Sequence, residues 1–179
     1  MDRRVFLGLL AASTWGAKAH AAGAHAFTFE RIEGGALPMT EFAGRPVLVV
    51  NTASFCGFTP QYNGLQALYD RYRNRGLVVL GVPSDDFGGQ EYDTAGQVKQ
   101  FCEVNFAIDF PMTDITAVRG RDAHPFYRWA RQTLGAARAP SWNFHKYLIG
   151  PDGAAVAAFD TRVRPDAPEL VRAIEALLD

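Results

Sequence analysis

Three observations predict an α/β domain with a central mixed sheet flanked by helices and an N-terminal β-hairpin. First, "RPVLVVNTA" and "LVVLGVP" are near-continuous runs of β-branched residues and leucine, the character of strands buried on both faces. Second, a stretch at helical spacing separates them, so a crossover joins two parallel strands. Third, "WNFHKYLI" and "AAVAAF" flank Pro151-Asp152-Gly153, a turn signal that closes the sheet with an antiparallel hairpin.

Each element has its own local warrant. "FTFERIEGGALPMTEFAG" alternates around Gly34-Gly35 and reads as the N-terminal hairpin. Thr59 is expected as an N-cap with Pro60 at the first helical position; Leu65, Leu68, Tyr69 and Tyr72 continue that helix and Gly76 ends it. "SDDFGGQEYD" is a loop, and Thr94 with Gln97 forms a capping box for a helix carrying Val98, Phe101 and Cys102 on one face. "HPFYRWARQTL" is a third helix. Asp166 and Glu169 box a last one, whose apolar face includes Leu170, Ile174, Leu177 and Leu178. Hairpin, β-α-β-α, then α-β-β-α is a thioredoxin-like order.

The 179 residues suffice for one core, and 48% hydrophobic with 21% charged residues is ordinary globular composition. A net charge of −1 with no basic cluster argues against nucleic acid as a partner. Two cysteines and four histidines without C-x-x-C or H-x-x-x-H spacing argue against a zinc site, so no metal or other cofactor is expected. Residues 1–26, "MDRRVFLGLLAASTWGAKAHAAGAHA", have a charged start, a short apolar run and small-x-small sites at Ala17–Ala19, Ala19–Ala21 and Ala24–Ala26. That is a signal-peptide layout, too short for a membrane span, and Arg3-Arg4 before "VFLGLL" suggests twin-arginine export, with Sec export as the alternative. No cysteine precedes Cys56, which removes a lipid anchor. The expected product is residues 27–179, slightly acidic, periplasmic or secreted, without stable membrane insertion.

Cys56 sits in "NTASFCGFTPQYNGL", where the first apolar run meets a helix start. The C-terminal edge of a strand is where open α/β sheets place their chemistry, and unpaired N–H groups there favour negative charge. A thiol there falls from about 8.5 to ~7 or below, giving a thiolate at neutral pH. Thr59 stands where a C-x-x-C motif would have its second cysteine, so a plain dithiol oxidoreductase is disfavoured.

With these residues in view, the chain resembles the glutathione peroxidase family in its cysteine form. The resemblance rests on "VLVVNTASFCGFTPQYNGLQALYDRY", "LGVPSDDFGGQE", "QFCEVNFAIDFPM" and "SWNFHKYLIGPDG", and extends from about Phe27 to the C-terminus. It implies a thioredoxin-like fold and reduction of hydrogen peroxide or organic hydroperoxides. It further implies Cys56 as the attacking residue, with Trp142 and Asn143 from "WNF" as two of three partners. Their indole N–H and carboxamide are donors suited to a thiolate and a leaving oxygen. The family's third partner is a glutamine, and its F-P-C-N-Q-F-G pattern places Asp86 there. An ionised Asp86 would raise the thiol pKa; a protonated one would donate a hydrogen bond or act as a base. Gln90, nearby in the loop, is an alternative donor.

The resemblance also implies that Cys102, in "FCEVNFAIDFPM", resolves the sulfenic acid of Cys56 as a disulfide; the alternative is a packed core thiol. Resolution would require local unwinding around residues 94–106. The implied co-substrate is a thiol reductant, a thioredoxin-like protein or glutathione, with the former favoured because no glutathione site is evident. The short "GAARAPS" connection favours a monomer. Two rival readings use the same thiol. One is a peroxide sensor that passes a disulfide to a partner; the other is a cysteine hydrolase with His124 or His145 as base.

Overall fold

The computed structural model describes residues 23–178. The charged start and apolar run of the leader lie outside the described residues. Strands β1 (Thr28–Glu30) and β2 (Ala36–Pro38) form the hairpin, with Gly34 and Gly35 at φ 90° and 85°, the left-handed region where glycine carries no Cβ penalty. Strands β3 (Val47–Thr52), β4 (Val78–Pro83), β5 (Lys146–Ile149) and β6 (Ala155–Phe159) make the main sheet in the order β4-β3-β5-β6. β3 and β4 are parallel, linked through helix α1 (Gln61–Tyr72), while β3–β5 and β5–β6 are antiparallel. The mixed sheet and its closing hairpin follow the sequence reading.

Every residue of β3, β4 and β5 is buried, because helices cover both faces. Alternate residues serve alternate layers. Leu48, Val50, Val79 and Leu148 pack under α1, α2 (Ala95–Phe106) and α4 (Pro168–Glu175), against Leu65, Val98 and Leu170. Val47, Val49, Leu80 and Tyr147 pack under α3 (Pro125–Leu134) and the N-terminal hairpin, against Phe126, Phe29 and Leu37. Among the described residues no helix is long and apolar enough to cross a membrane.

Three local expectations change. Thr94 does cap α2 through Gln97 N–H, but the Thr59 hydroxyl serves the turn before α1 rather than the helix itself. α4 starts at Pro168 without a side-chain cap, and Asp166 pairs with Arg164 instead. β5 begins at Lys146, leaving "WNF" outside the strand, because Phe144 has φ 63° and breaks the extended run. At the other end of the chain, Ala24–Ala26 form a 3-10 turn built into the body. Ala24 is buried and its N–H donates to the Gly153 carbonyl at 2.8 Å in the β5–β6 turn.

Candidate active site

The chain leaves β3 at Thr52 and makes a compact turn before α1. The Thr59 hydroxyl organises it by donating to the Ala53 carbonyl at 2.9 Å and accepting the Cys56 N–H at 3.1 Å. A threonine does this well because one oxygen both donates and accepts. The Phe58 N–H then points at Cys56 and donates to Sγ at 3.4 Å. It belongs to the turn, not to the first turn of α1, which starts five residues beyond the cysteine. Cys56 is only 6% exposed, so a small or slender reactant meets the sulfur at the surface of a largely apolar layer.

Two other segments converge on this turn. From the loop after β4, the Gln90 carbonyl accepts the Phe55 N–H at 3.0 Å, fastening that loop to the residue before Cys56. From the segment before β5, Asn143 is fully buried and its Nδ2 donates to Gln90 Oε1 at 3.1 Å. Asn51 of β3 holds the same segment, donating through Nδ2 to the Trp142 carbonyl at 3.1 Å and accepting the Phe144 N–H through its own carbonyl at 2.6 Å. A left-handed Phe144 between these anchors reverses the chain, leaving Asn143 inside and Trp142 40% exposed. The Trp142 ring lies 5.8 Å from that of Phe87, which follows Asp86 in the loop.

Asp86 does not join the group. Its Oδ2 accepts the N–H groups of Val118 at 2.6 Å and Arg119 at 3.0 Å, so the carboxylate braces the segment leading to α3. Four residues on, the side chain that meets Asn143 is Gln90. The loop turns between them through Gly88 and Gly89, at φ 84° and 64°, and sends the two side chains to different partners. "GGQE" was the available signal, since two glycines before a glutamine mark a change of direction that matching by pattern ignores.

Cys102 is fully buried on α2, in the same core layer as Cys56, and burial pushes its thiol up to about 11. Both cysteines are free thiols. The histidines are engaged away from the sulfur. His124 caps α3, accepting the Phe126 N–H at Nδ1, while Nε2 meets the Thr28 carbonyl at 3.0 Å. His145 packs edge-on to Tyr147, whose layer lies across the sheet from Cys56, and burial pushes it down to about 4. A base of that strength would be a poor activator of a thiol near neutral pH, so the geometry gives the hydrolase reading nothing to use.

Comparison with known proteins places the chain in a family. Residues 24–131 match the family model described as glutathione peroxidase. The chain is 40% identical over 162 residues to a hydroperoxy fatty acid reductase of Synechocystis sp., covering 86% of this chain and 95% of that one. It is likewise 40% identical over 149 residues to a glutathione peroxidase-like peroxiredoxin of Chlamydomonas reinhardtii, covering 81% and 92%. Among solved structures, T. cruzi GPX1 superposes with a TM-score of 0.71 at 28% identity, over 88% of this chain and 97% of that one. A thiol:disulfide interchange protein of Chlorobium tepidum shares the thioredoxin-like fold at a TM-score of 0.63 and 13% identity. The chain belongs to the glutathione peroxidase family of peroxide-reducing oxidoreductases.

Proposed function

We propose that the protein is a thiol peroxidase in which Cys56 attacks a hydroperoxide beside the amide pair Gln90–Asn143. The observation that carries this is the convergence of three segments on the Cys56 turn: Phe58 N–H on Sγ, and Gln90 bound both to Phe55, the residue before the cysteine, and to Asn143. The sulfur attacks the terminal peroxide oxygen and the O–O bond breaks. The departing alkoxide or hydroxide takes a proton and leaves as alcohol or water, and the sulfur, oxidised by two electrons, becomes a sulfenic acid. Carboxamide donors stabilise charge developing on the leaving oxygen, a contribution that grows in a water-poor site. Gln90 takes the place in this scheme that pattern matching assigned to Asp86, and Trp142 shields the exposed side.

A groove of about 700 Å³ starts at Gly57 and Phe58, the two residues after Cys56, and is lined further on by Leu68, Val171, Arg71 and Arg162. Apolar side chains with guanidinium groups suit the chain and acid end of an organic hydroperoxide, which we take as a substrate besides hydrogen peroxide. Cys102 then condenses with the sulfenic acid, releasing water and forming a disulfide that a thioredoxin-like dithiol reduces. With the Cys102 thiol buried, this step needs α2 to open locally. The working unit is a monomer, exported by the leader. Cleavage is expected upstream of Gly23 rather than after Ala26, since Ala24–Ala26 pack against the β5–β6 turn.

Intact mass of the reduced protein after one equivalent of hydroperoxide tests the scheme. A loss of about two mass units in the wild type, absent in Cys56→Ser and Cys102→Ser, is expected for the internal disulfide. A gain of about 16 units that depends on Cys56 alone would assign Cys102 to packing and resolution to an external thiol. No change at all would overturn the peroxidase reading.

A further inference from the structure

A buried amine stands behind Asn143, and the peroxide chemistry makes no use of it. Lys146, the first residue of β5, has no exposed surface. Its Nζ donates to the Phe144 carbonyl at 2.7 Å and to Gln61 Oε1 at 2.8 Å. Gln61, the first residue of α1, donates in turn through Nε2 to the Thr161 carbonyl at 2.7 Å. The Thr161 hydroxyl donates to the Asn143 carbonyl at 2.8 Å. Four hydrogen bonds therefore run from one side of the Phe144 kink to the other, by way of β5, α1 and the segment after β6.

The arrangement is costly in two ways. An amine taken out of water gives up its hydration, the more so when it is protonated. A left-handed backbone at a phenylalanine is strained and persists only where its surroundings over-determine it. Here the surroundings are visible: Asn51 holds the Phe144 N–H, Lys146 holds its carbonyl, and Thr161 holds the carbonyl before it.

We propose that Lys146 is a positioning residue for peroxide reduction: by binding the Phe144 carbonyl and Gln61 it locks the kink that turns the Asn143 carboxamide toward Gln90, and joins it to the helix that follows the Cys56 turn. The inference rests on the peroxidase reading. Burial is the main influence on Lys146, pushing it down to about 7; Asp160 counteracts this, and His145 is the other titratable group beside it. The clamp works in either protonation state, because a neutral amine keeps two N–H bonds for its two acceptors.

The test compares two reactions of Cys56 in the full protein: oxidation by hydrogen peroxide, which uses Asn143, and alkylation by iodoacetamide, which needs only the thiolate. Lys146→Met is expected to slow oxidation roughly tenfold or more while leaving alkylation within about twofold of wild type. In an Asn143→Ala background the same substitution should add less than about twofold, as expected for residues acting through one another. Unchanged oxidation, an equal fall in both reactions, or a fully multiplicative effect in that background would each overturn the proposal. Should Lys146→Met fail to fold, Thr161→Val removes only the hydroxyl bond to Asn143, and an oxidation rate unchanged in it overturns the proposal as well. A wild-type protein inert to every hydroperoxide would instead sink the peroxidase reading itself.

Discussion

Asn143 Nδ2 donates to Gln90 Oε1 at 3.1 Å, joining two loops that lie more than fifty residues apart in the chain. The bond orients both amides. With its oxygen occupied by Asn143, Gln90 keeps its own NH₂ as the donor of the pair, and with its carbonyl on Phe55 it moves only if the Cys56 turn moves.

Gln90 and Asp86 are therefore expected to separate cleanly on substitution. Gln90→Ala should lower the second-order rate constant for Cys56 oxidation roughly 10- to 100-fold, the scale of losing one oriented donor. Asp86→Ala should leave that constant within about threefold but cost roughly 1–3 kcal/mol of stability, since two N–H groups lose their acceptor. Rapid-mixing kinetics and denaturant unfolding on both variants would check this, and the reverse pattern would return Asp86 to the site.

Thr59→Val keeps the shape of the side chain and removes the hydroxyl that spans the Cys56 turn. A loss of about 1–2 kcal/mol is expected, together with slower oxidation of Cys56, because the Ala53 carbonyl and Cys56 N–H lose their common partner. Thermal unfolding measured alongside peroxide kinetics would show whether the two losses occur together.

The thiols should differ in reactivity. Cys102 is fully buried and pushed up to about 11, so it stays protonated near neutral pH, whereas Cys56 keeps a small exposed edge of 6%. Ellman's reagent should titrate one thiol quickly in the native reduced protein and two in denaturant. Fast reaction of both in the native state would mean that α2 opens readily.

Stability should rise with pH between about 7 and about 9 through Lys146; at lower pH His145 raises it while Glu91, whose carboxyl burial pushes up, lowers it. His145 and Lys146 are pushed down to about 4 and about 7, so between those values and their unfolded ones the unfolded chain holds a proton that the native protein lacks. Each contributes a slope of at most roughly 1.4 kcal/mol per pH unit, His145 at the lower pH and Lys146 above about pH 7. Cys102, Tyr62, Tyr127 and Tyr147 are pushed the other way, chiefly by burial; they stay protonated in the native state and turn the curve down above about pH 9. Denaturant unfolding between pH 7 and 8.5 should show the rise in wild type and its absence in Lys146→Met.

Local signals in the chain were enough to define the sheet, the crossover, the closing hairpin and the placement of Cys56 between the first buried strand and the first helix. These follow from signals that act within a few residues: continuous apolar runs where both faces are covered, glycines at left-handed turns, Thr94 capping α2 through Gln97. Pattern also brought out Trp142 and Asn143. Which loop side chain reaches Asn143 is a matter of long-range packing, because Asp86 and Gln90 occupy one short loop and the choice depends on contacts with Val118 and Asn143, distant in the chain. Phe144 was likewise read as part of a strand. Its left-handed backbone exists because Asn51 and Lys146 hold its N–H and carbonyl from other elements, a balance that no local propensity encodes.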